Sequence, residues 1–476
     1  MQFTTLKFLI FFLAAALGWY GLPGRLRGLW LLGTGLVFYW LSSGAFALLL
    51  LADIAVAYAA AQASRRGLPG RRRLWTALGV LWLLGGLAVL KYAAPLARAL
   101  GAASVPEWLA PPAGVSFFSF VLSAYLFDVG RGRIEPERNV LDFSGFAVFF
   151  PTMLAGPINR AEGLLPQLRQ PGKLQPDRLR RGLLRFSWGA FKKLAAADNL
   201  GRIVDAAYAD PSAVSGGAML AAVLAYSMQI YLDFSAYSDM AIGCADMLGI
   251  TIPENFRAPY LSRSVREFWK KWHISLTDWF RDYLYFPLGG SRRGRARTLR
   301  NVLIVFAVSG LWHGGALTFL IWGLLNGLYQ AAELLAAPLR SRAAAAMHIR
   351  EDSALLRLWQ GVLTFLLLTA AWIFFRAESP GQAVYVIKHI LLIVRDGFGF
   401  ASLRALVGVR QGVLLAAVLA LCIREDVCIA RGRAAFAWAQ RGVRYWLLLA
   451  ALALAIGLFG VYGAELDARE FVYFRF

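Results

Sequence analysis

The chain has 476 residues, of which 59% are hydrophobic and only 16% charged, whereas a soluble protein carries about a quarter of charged residues. Its net charge is +22, and the basic residues cluster in short stretches between apolar blocks, such as 65–73, 178–185, 292–300 and 431–433. This distribution follows the positive-inside rule, which places these loops in the cytoplasm, and it excludes nucleic acid as the expected partner.

Long apolar blocks predict helices along the whole chain, and most blocks approach the roughly twenty residues that cross a bilayer. In chain order, the predicted helices lie near residues 5–20, 27–42, 44–62, 74–96, 115–129, 142–156, 182–200, 217–248, 300–312, 316–336, 357–376, 382–395, 411–424 and 443–463. We expect about eleven to thirteen of them to span or re-enter the membrane. The fold class is therefore an all-α polytopic membrane protein.

The first apolar block resembles a short signal peptide, but further blocks follow at once and favour a retained first helix. We assign residues 1–110 to N-terminal transmembrane helices and residues 111–476 to a core. Within the core, the stretch 251–299 is charged and aromatic and holds no apolar run long enough to span. It predicts interfacial amphipathic helices or a re-entrant segment.

His313 is one of only four histidines and lies in the apolar segment 300–336, followed by two glycines. An ionisable side chain at membrane depth is costly, so it is a candidate functional group. Imidazole exchanges protons near neutral pH, and a dry site favours its neutral form, which suits a general base. The alternative is a structural histidine that a neighbouring helix satisfies.

Polar side chains in the predicted helix 217–248 form a second candidate group. Tyr231, Asp233, Ser235 and Asp239 could line a substrate passage, or they could hold helices together through hydrogen bonds. Both alternatives stay open.

Two further stretches differ from a simple apolar helix. Residues 267–285 carry tryptophans near helical spacing among charges, and the alternative to a functional site is an interfacial helix whose charges face water. Residues 149–160 hold two prolines and a glycine, which predict a broken helix or a sharp turn. The three cysteines show no metal-ligand spacing, so we expect no metal.

Several blocks together resemble the membrane-bound O-acyltransferase family, specifically its bacterial branch around alginate O-acetyltransferases. The match runs from about residue 110 to the end, in the same order and at compatible spacing. The blocks are Phe150–Ile158, Phe191–Asn199, Tyr231–Gly243, Pro253–Phe256, Phe268–Leu276, Trp279–Tyr283, Gly310–Gly314, Trp372–Ala377 and the terminal residues 471–474. The resemblance implies tilted helices around a central tunnel that opens to the cytoplasm.

The resemblance also implies roles for individual residues. It makes His313 the catalytic histidine and His273 a second required histidine, which could donate to the oxyanion or orient the thioester. Side chains expected to contact substrate or line the tunnel are Asn255, Trp269, Trp272, Ser275, Asp278, Trp312, Tyr231, Asp233, Ser235 and Asp239. Basic side chains expected to meet the phosphates of the donor are Lys270, Lys271, Arg281 and Arg292.

The activity that the resemblance implies is O-acetylation of an exported or cell-envelope polysaccharide, such as alginate, by a multi-pass protein of the bacterial inner membrane. The acetyl group would come from a cytoplasmic thioester, with acetyl-CoA as donor and no permanently bound cofactor. An extracytoplasmic acetyltransferase partner would complete the transfer, and the basic loops would contact membrane lipid. The alternatives are D-alanyl transfer from a carrier protein to teichoic acid and a non-enzymatic polysaccharide or lipid exporter.

Overall fold

The computed structural model describes residues 1–65, 69–102, 104–169, 172–346, 348, 350, 353–433, 436–439, 441–461 and 471. All regular secondary structure in these residues is helical, which confirms the predicted fold class. Of the terminal block 471–474, residues 472–474 lie outside the described residues.

The described chain divides into two compact units. The first comprises Met1–Ala190, Ala236–Glu254 and Phe471, and the second comprises Phe191–Ser235 and Asn255–Val461. One long helix contributes residues to both units. The division into residues 1–110 and 111–476 stays a prediction.

Among the described residues, the first unit contains eight complete α-helices, nearly all of α9 and the C-terminal part of α11. Its core is a cluster of phenylalanines in which Phe8 lies 4.6 Å from Phe3 and 6.1 Å from Phe38, between ring centroids. The predicted break in the helix near residue 150 is confirmed, because a helix of only four residues follows Phe149. The helices are α1 Leu6–Gly21, α2 Gly24–Ser43, α3 Ala47–Arg65, α4 Pro69–Ala99, α5 Val115–Gly130, α6 Val140–Ala147, α7 Phe150–Met153, α8 Ala161–Arg169 and α9 Pro176–Phe191.

The second unit contains most of the C-terminal half. It begins with a π-helix, Lys192–Ala197, and a second π-helix, Arg281–Tyr285, follows α13. Its α-helices are α10 Asp198–Ala209, α11 Gly216–Met247, α12 Val265–Trp269, α13 Ile274–Phe280, α14 Arg295–His313, α15 Leu317–Ala346, α16 Ala354–Arg376, α17 Pro380–Leu391, α18 Ile393–Asp396, α19 Phe400–Val407, α20 Val409–Ala430 and α21 Gly442–Phe459, with α11 continuing into the first unit.

The chain is a multi-pass membrane protein. Within the described residues, six stretches are long and apolar enough to cross a membrane, and a seventh is added if α19 and α20, bent by 75°, form one broken span. The predicted eleven to thirteen helices exceed this number, because the prediction included shorter apolar helices such as α1 and counted α2 and α3 separately. The six stretches are Gly24–Arg65, Gly70–Ala99, Gly216–Met247, Leu317–Arg340, Ala354–Arg376 and Gly442–Phe459.

The segment between α11 and α14 forms only short helices, as its charged sequence predicts. Helix α12 is capped at its N-terminus by Ser264, whose hydroxyl accepts a hydrogen bond from the backbone N–H of Glu267. The carboxylate of Glu333 in α15 accepts from the backbone N–H groups of Val265 (2.6 Å) and Arg266 (3.2 Å). These bonds attach the first turn of α12 to α15 and so hold Trp269, the last residue of α12, in position.

Helices α14 and α15 form a tight hairpin with His313 at its turn. Gly310 and Gly323 permit the close approach, because a Cβ atom at either position would overlap a backbone carbonyl oxygen of the other helix. Helix α15 continues to Ala346 and so includes the basic residues Arg340 and Arg342. Residues 347 and 349 lie outside the described residues.

Candidate active site

His313 is the last residue of α14 and is 5% exposed. Its imidazole is enclosed by aromatic rings, with centroid distances of 4.9 Å to Trp312, 5.0 Å to Trp322 and 5.2 Å to Phe375. The Trp322 and Phe375 rings meet it at 90° and 75°. Because water is largely excluded, this setting suits proton transfer by a neutral imidazole.

His273 precedes α13 and has a left-handed backbone conformation, with φ of 45°. Such a conformation is uncommon for a residue other than glycine and occurs often at functional sites. The side chain is 1% exposed, and its ring lies 4.6 Å from that of Phe234. Burial lowers the pKa of His273 from 6.5 to about 3, so the ring is neutral at physiological pH.

Asn255 determines which nitrogen of His273 carries the proton. Its Oδ1 atom accepts hydrogen bonds from the backbone N–H of Ser275 (3.2 Å) and from the Ser275 hydroxyl (2.7 Å), which identifies this atom as the oxygen. The same oxygen lies 3.3 Å from His273 Nδ1, so Nδ1 carries the hydrogen. Nε2 of the neutral ring then has a lone pair and can accept a hydrogen bond.

The two histidines belong to one aromatic cluster. Trp312 contacts both, at 4.9 Å from His313 and 6.2 Å from His273 between ring centroids. Trp272 is also buried and packs 5.2 Å from Trp372, whose ring lies 5.6 Å from that of Trp322. Six of the predicted residues are brought together with the two histidines: Asn255, Ser275, Trp312, Trp272, Trp269 and Tyr231, the last through a ring contact of 5.9 Å with Trp272.

A cavity of about 640 Å³ lies beside this cluster. Its interior is lined by buried apolar side chains such as Trp269, Leu276 and Phe306, together with Ser309, which lies one helical turn before His313. The Trp269 ring lies 5.7 Å from that of Trp322, which in turn contacts His313. Two aromatic side chains therefore connect the cavity to His313.

The outer wall of the cavity carries four exposed cations, which we call the basic rim: Arg266, Lys270, Arg281 and Arg295. Two of the four basic residues predicted from sequence, Lys270 and Arg281, belong to it. Arg281 forms ion pairs with Asp278, another predicted residue of the cavity wall, and with Asp282. Arg266 and Arg295 were missed, although a basic run at the start of α14 was visible in the sequence.

The other two predicted basic residues lie outside the wall of this cavity. Lys271 forms an ion pair with Glu267 at 2.6 Å, one turn earlier. Arg292 is exposed in the turn before α14. Neither side chain lines the cavity.

Two of the polar residues of α11 bind side chains of other helices. The Tyr231 hydroxyl donates to Asp426 Oδ1 of α20 at 2.6 Å, and Ser235 Oγ accepts from Lys192 Nζ at 3.2 Å. Both contacts favour the alternative that these residues hold helices together.

Asp233 belongs to the same buried polar region. Its Oδ1 atom lies 2.7 Å from Lys193 Nζ, which also pairs with Asp198 at 2.9 Å. Burial acts to lower the pKa of Lys193, but the two carboxylates outweigh it and raise that pKa, so the lysine stays charged. Asp239 lies in the first unit, where it accepts a hydrogen bond from Arg185 at 2.9 Å.

The sequence analysis did not single out two side chains that enclose His313. Trp322 and Phe375 enclose His313, but each lies on an apolar helix where a packing role explains an aromatic side chain equally well. The motif around Trp372–Ala377 was the one signal that pointed to Phe375. Among the described residues, no group of three or more His, Cys, Asp or Glu side chains could hold a metal ion.

Known proteins match this chain over most of its length. The sequence profile of the membrane-bound O-acyltransferase family matches residues 136–376. The chain is 38% identical to a probable alginate O-acetylase of Pseudomonas syringae pv. tomato over 392 residues, which cover 80% of this chain and 73% of that protein. It is 31% identical to a peptidoglycan O-acetyltransferase of Helicobacter pylori over 394 residues, covering 76% and 73%.

A third relative is more distant. The chain is 27% identical to a teichoic acid D-alanyltransferase of Bacillus subtilis over 226 residues, which cover 45% of this chain and 57% of that protein. The region that matches the family profile, 136–376, contains His273, His313 and Asn255. The resemblance seen in the sequence is confirmed, and an acyl-transferring enzyme is favoured over an exporter. The chain belongs to the membrane-bound O-acyltransferase family and is an O-acyltransferase.

Proposed function

We propose that the enzyme moves an acetyl group from cytoplasmic acetyl-CoA to a hydroxyl of a cell-envelope polysaccharide, with an extracytoplasmic partner completing the transfer, in the inner membrane of a bacterium. The observation that carries the proposal is a cavity with a basic rim and an apolar interior, which the rings of Trp269 and Trp322 connect to His313. The names of the relatives, two O-acetylating enzymes at 38% and 31% identity, support acetyl as the acyl group.

The cavity suits a phosphorylated thioester donor. Exposed cations of the basic rim attract phosphate groups, and the apolar walls accept a long, uncharged arm. The rim adjoins the basic run 292–300, which the positive-inside rule assigns to the cytoplasm. The donor therefore approaches from the cytoplasmic side.

His313 lies at the far end of α14 from that basic run. The helix has 19 residues, which corresponds to a rise of about 28 Å, so His313 is well separated from the cations at the start of α14. An acceptor hydroxyl can then approach His313 from the opposite side to the donor. This arrangement accounts for transfer across the membrane without movement of the whole donor.

The reaction uses the two histidines differently. His313 removes the proton from the acceptor hydroxyl as its oxygen attacks the thioester carbonyl carbon. The tetrahedral intermediate collapses, the C–S bond breaks, and the leaving thiolate takes the proton back from the His313 imidazolium. The neutral His273 ring accepts a hydrogen bond at Nε2 from an amide N–H of the donor arm and so orients the thioester.

The test is acetyl transfer by the full-length protein in proteoliposomes, reconstituted with its extracytoplasmic partner and supplied with radiolabelled acetyl-CoA and alginate oligosaccharide or peptidoglycan fragments as acceptors. We expect His313→Ala to lower the rate by about 10²–10⁴-fold, because general-base help is lost. The matched control is His389→Ala, since His389 is part-buried, lies outside the candidate site and bonds the backbone carbonyl of Val214 at 2.6 Å.

Two results would overturn the proposal. Undiminished transfer by His313→Ala would remove His313 from the reaction. Turnover of a D-alanyl carrier-protein thioester, with none of acetyl-CoA, would favour the activity named for the Bacillus subtilis relative.

A further inference from the structure

Two polar side chains on α15 are buried with no hydrogen-bond partner among the described residues: the indole Nε1 of Trp322 and the hydroxyl of Thr318. Each residue is 1% exposed. They are four positions apart and so lie on one face of the helix. A buried polar atom without a partner costs free energy, so two of them together call for a functional explanation.

The Trp322 side chain is held in place beside the imidazole of His313. Its ring lies 5.0 Å from that of His313 and perpendicular to it, and it packs at 4.9 Å against Phe375 and at 5.6 Å against Trp372. Gly323, the next residue, allows α15 to approach α14 closely. The indole is therefore a rigid donor held next to the imidazole.

Thr318 lies in the first turn of α15, where backbone N–H groups give a partial positive charge. This helix has 30 residues and starts four positions after His313. The side chain of Phe319, in the same turn, lies so close to Gly314 that a Cβ atom there would overlap it. The positive end of α15 is thus packed against the residue that follows His313.

We propose that the Trp322 indole N–H and the Thr318 hydroxyl form the oxyanion hole of this enzyme. This inference rests on the proposed acyl transfer at His313. When the acceptor oxygen bonds to the thioester carbon, the carbonyl π electrons move to its oxygen, and the two donors stabilise that negative charge. The charge returns to re-form the C=O bond when the C–S bond breaks, so neither donor loses its proton.

The tautomer of His273 explains why the oxyanion needs a different hydrogen-bond donor. Its Nδ1–H points to Asn255 Oδ1 at 3.3 Å, and its Nε2 carries a lone pair. A neutral His273 therefore cannot donate to an oxyanion, and another donor must do so. By contrast, the nearby indole of Trp269 has its N–H occupied by Asn326 Oδ1 at 3.2 Å.

The decisive experiment replaces Trp322 by benzothienylalanine, which keeps the shape of the indole and exchanges its N–H for sulfur. We expect kcat for acetyl transfer to alginate oligosaccharide to fall about 10²-fold, with KM for acetyl-CoA unchanged. Thr318→Val, which exchanges the hydroxyl for a methyl group, should lower kcat in the same way. Trp359→Phe is the matched control, because Trp359 is 61% exposed.

The outcomes separate a donor from a packing residue. If Trp322→Phe lowers kcat but the benzothienylalanine enzyme has full activity, Trp322 only packs against His313 and the proposal is overturned. A rise in KM at unchanged kcat would also overturn it. If His313→Ala transfers acetyl normally, the proposed function itself fails. If His313→Ala loses transfer activity but the benzothienylalanine enzyme has full activity, only the oxyanion hole is refuted.

Discussion

Asn255 Oδ1 and His273 Nδ1 are 3.3 Å apart, and the two bonds that Ser275 donates to the same oxygen leave His273 as the third donor. The protonation of a buried imidazole is thereby set by an amide that is itself 0% exposed. We therefore expect Asn255 to act through His273, as a positioning residue.

Removing the Asn255 amide should slow the reaction although both histidines are still present in the protein. We expect Asn255→Leu to lower the transfer rate about 10²-fold, because the orientation and tautomer of His273 are lost. The control is Ser275→Ala, which removes one hydrogen bond to Oδ1 and leaves the bond between Asn255 and His273. Initial rates in proteoliposomes measure both, and equal losses in the two variants would contradict the role of Asn255.

The buried His273 should make the protein sensitive to acid. Its pKa is about 3 in the folded protein and 6.5 for the exposed group, so the unfolded chain binds more protons between these values. The free energy of unfolding therefore falls as the pH drops from 6.5 towards 3, by up to about 1.4 kcal/mol per pH unit. Thermal melting in detergent against pH checks this, and His273→Gln should flatten the dependence. An unchanged slope in that variant would show that other groups cause it.

The basic rim should control donor affinity. Arg266→Ala, Lys270→Ala and Arg295→Ala should each raise KM for acetyl-CoA about fivefold and leave kcat nearly unchanged, since an exposed ion pair contributes up to about 1 kcal/mol. The increase should shrink at high salt, which screens exposed charges. Arg292→Ala is the control, because Arg292 is equally exposed but does not line the cavity. An equal effect there would mean that general surface charge, and not the rim, attracts the donor.

The close packing of α14 on α15 should be required for the site. In Gly323→Ala, the new Cβ atom would meet the Phe306 carbonyl oxygen, and the helices must separate. We expect a loss of about 1–3 kcal/mol in stability and a lower kcat, because Trp322 moves away from His313. Gly85→Ala is the control, since a Cβ there has no atom within 4 Å. Full activity and stability in Gly323→Ala would contradict the argument.

Most helices were predictable from the sequence alone, and the sequence also made His313 the candidate catalytic histidine. The apolar period placed α5 at 115–129, against Val115–Gly130 in the structure, and α11 at 217–248, against Gly216–Met247. His313 was identified by the cost of an ionisable group in an apolar segment, which is a local property of the chain. The ordered motifs added the family, because several blocks at compatible spacing are specific.

Which side chains meet depends on the packing of distant helices. Asn255 and Ser275 are 20 residues apart, and Trp269 and Asn326 are 57 apart, so no periodicity along the chain relates them. The sequence predicted the same role for Lys270 and Lys271, but Lys270 lines the cavity and Lys271 pairs with Glu267. The hydrophobic pattern shows which face of each segment is buried. The side chains that a residue contacts, by contrast, depend on how distant helices pack. For that reason the fold class and the family followed from the sequence, which also proposed His313 as the catalytic histidine, whereas the packing of distant helices set the tautomer of His273, the basic rim and the donors beside His313.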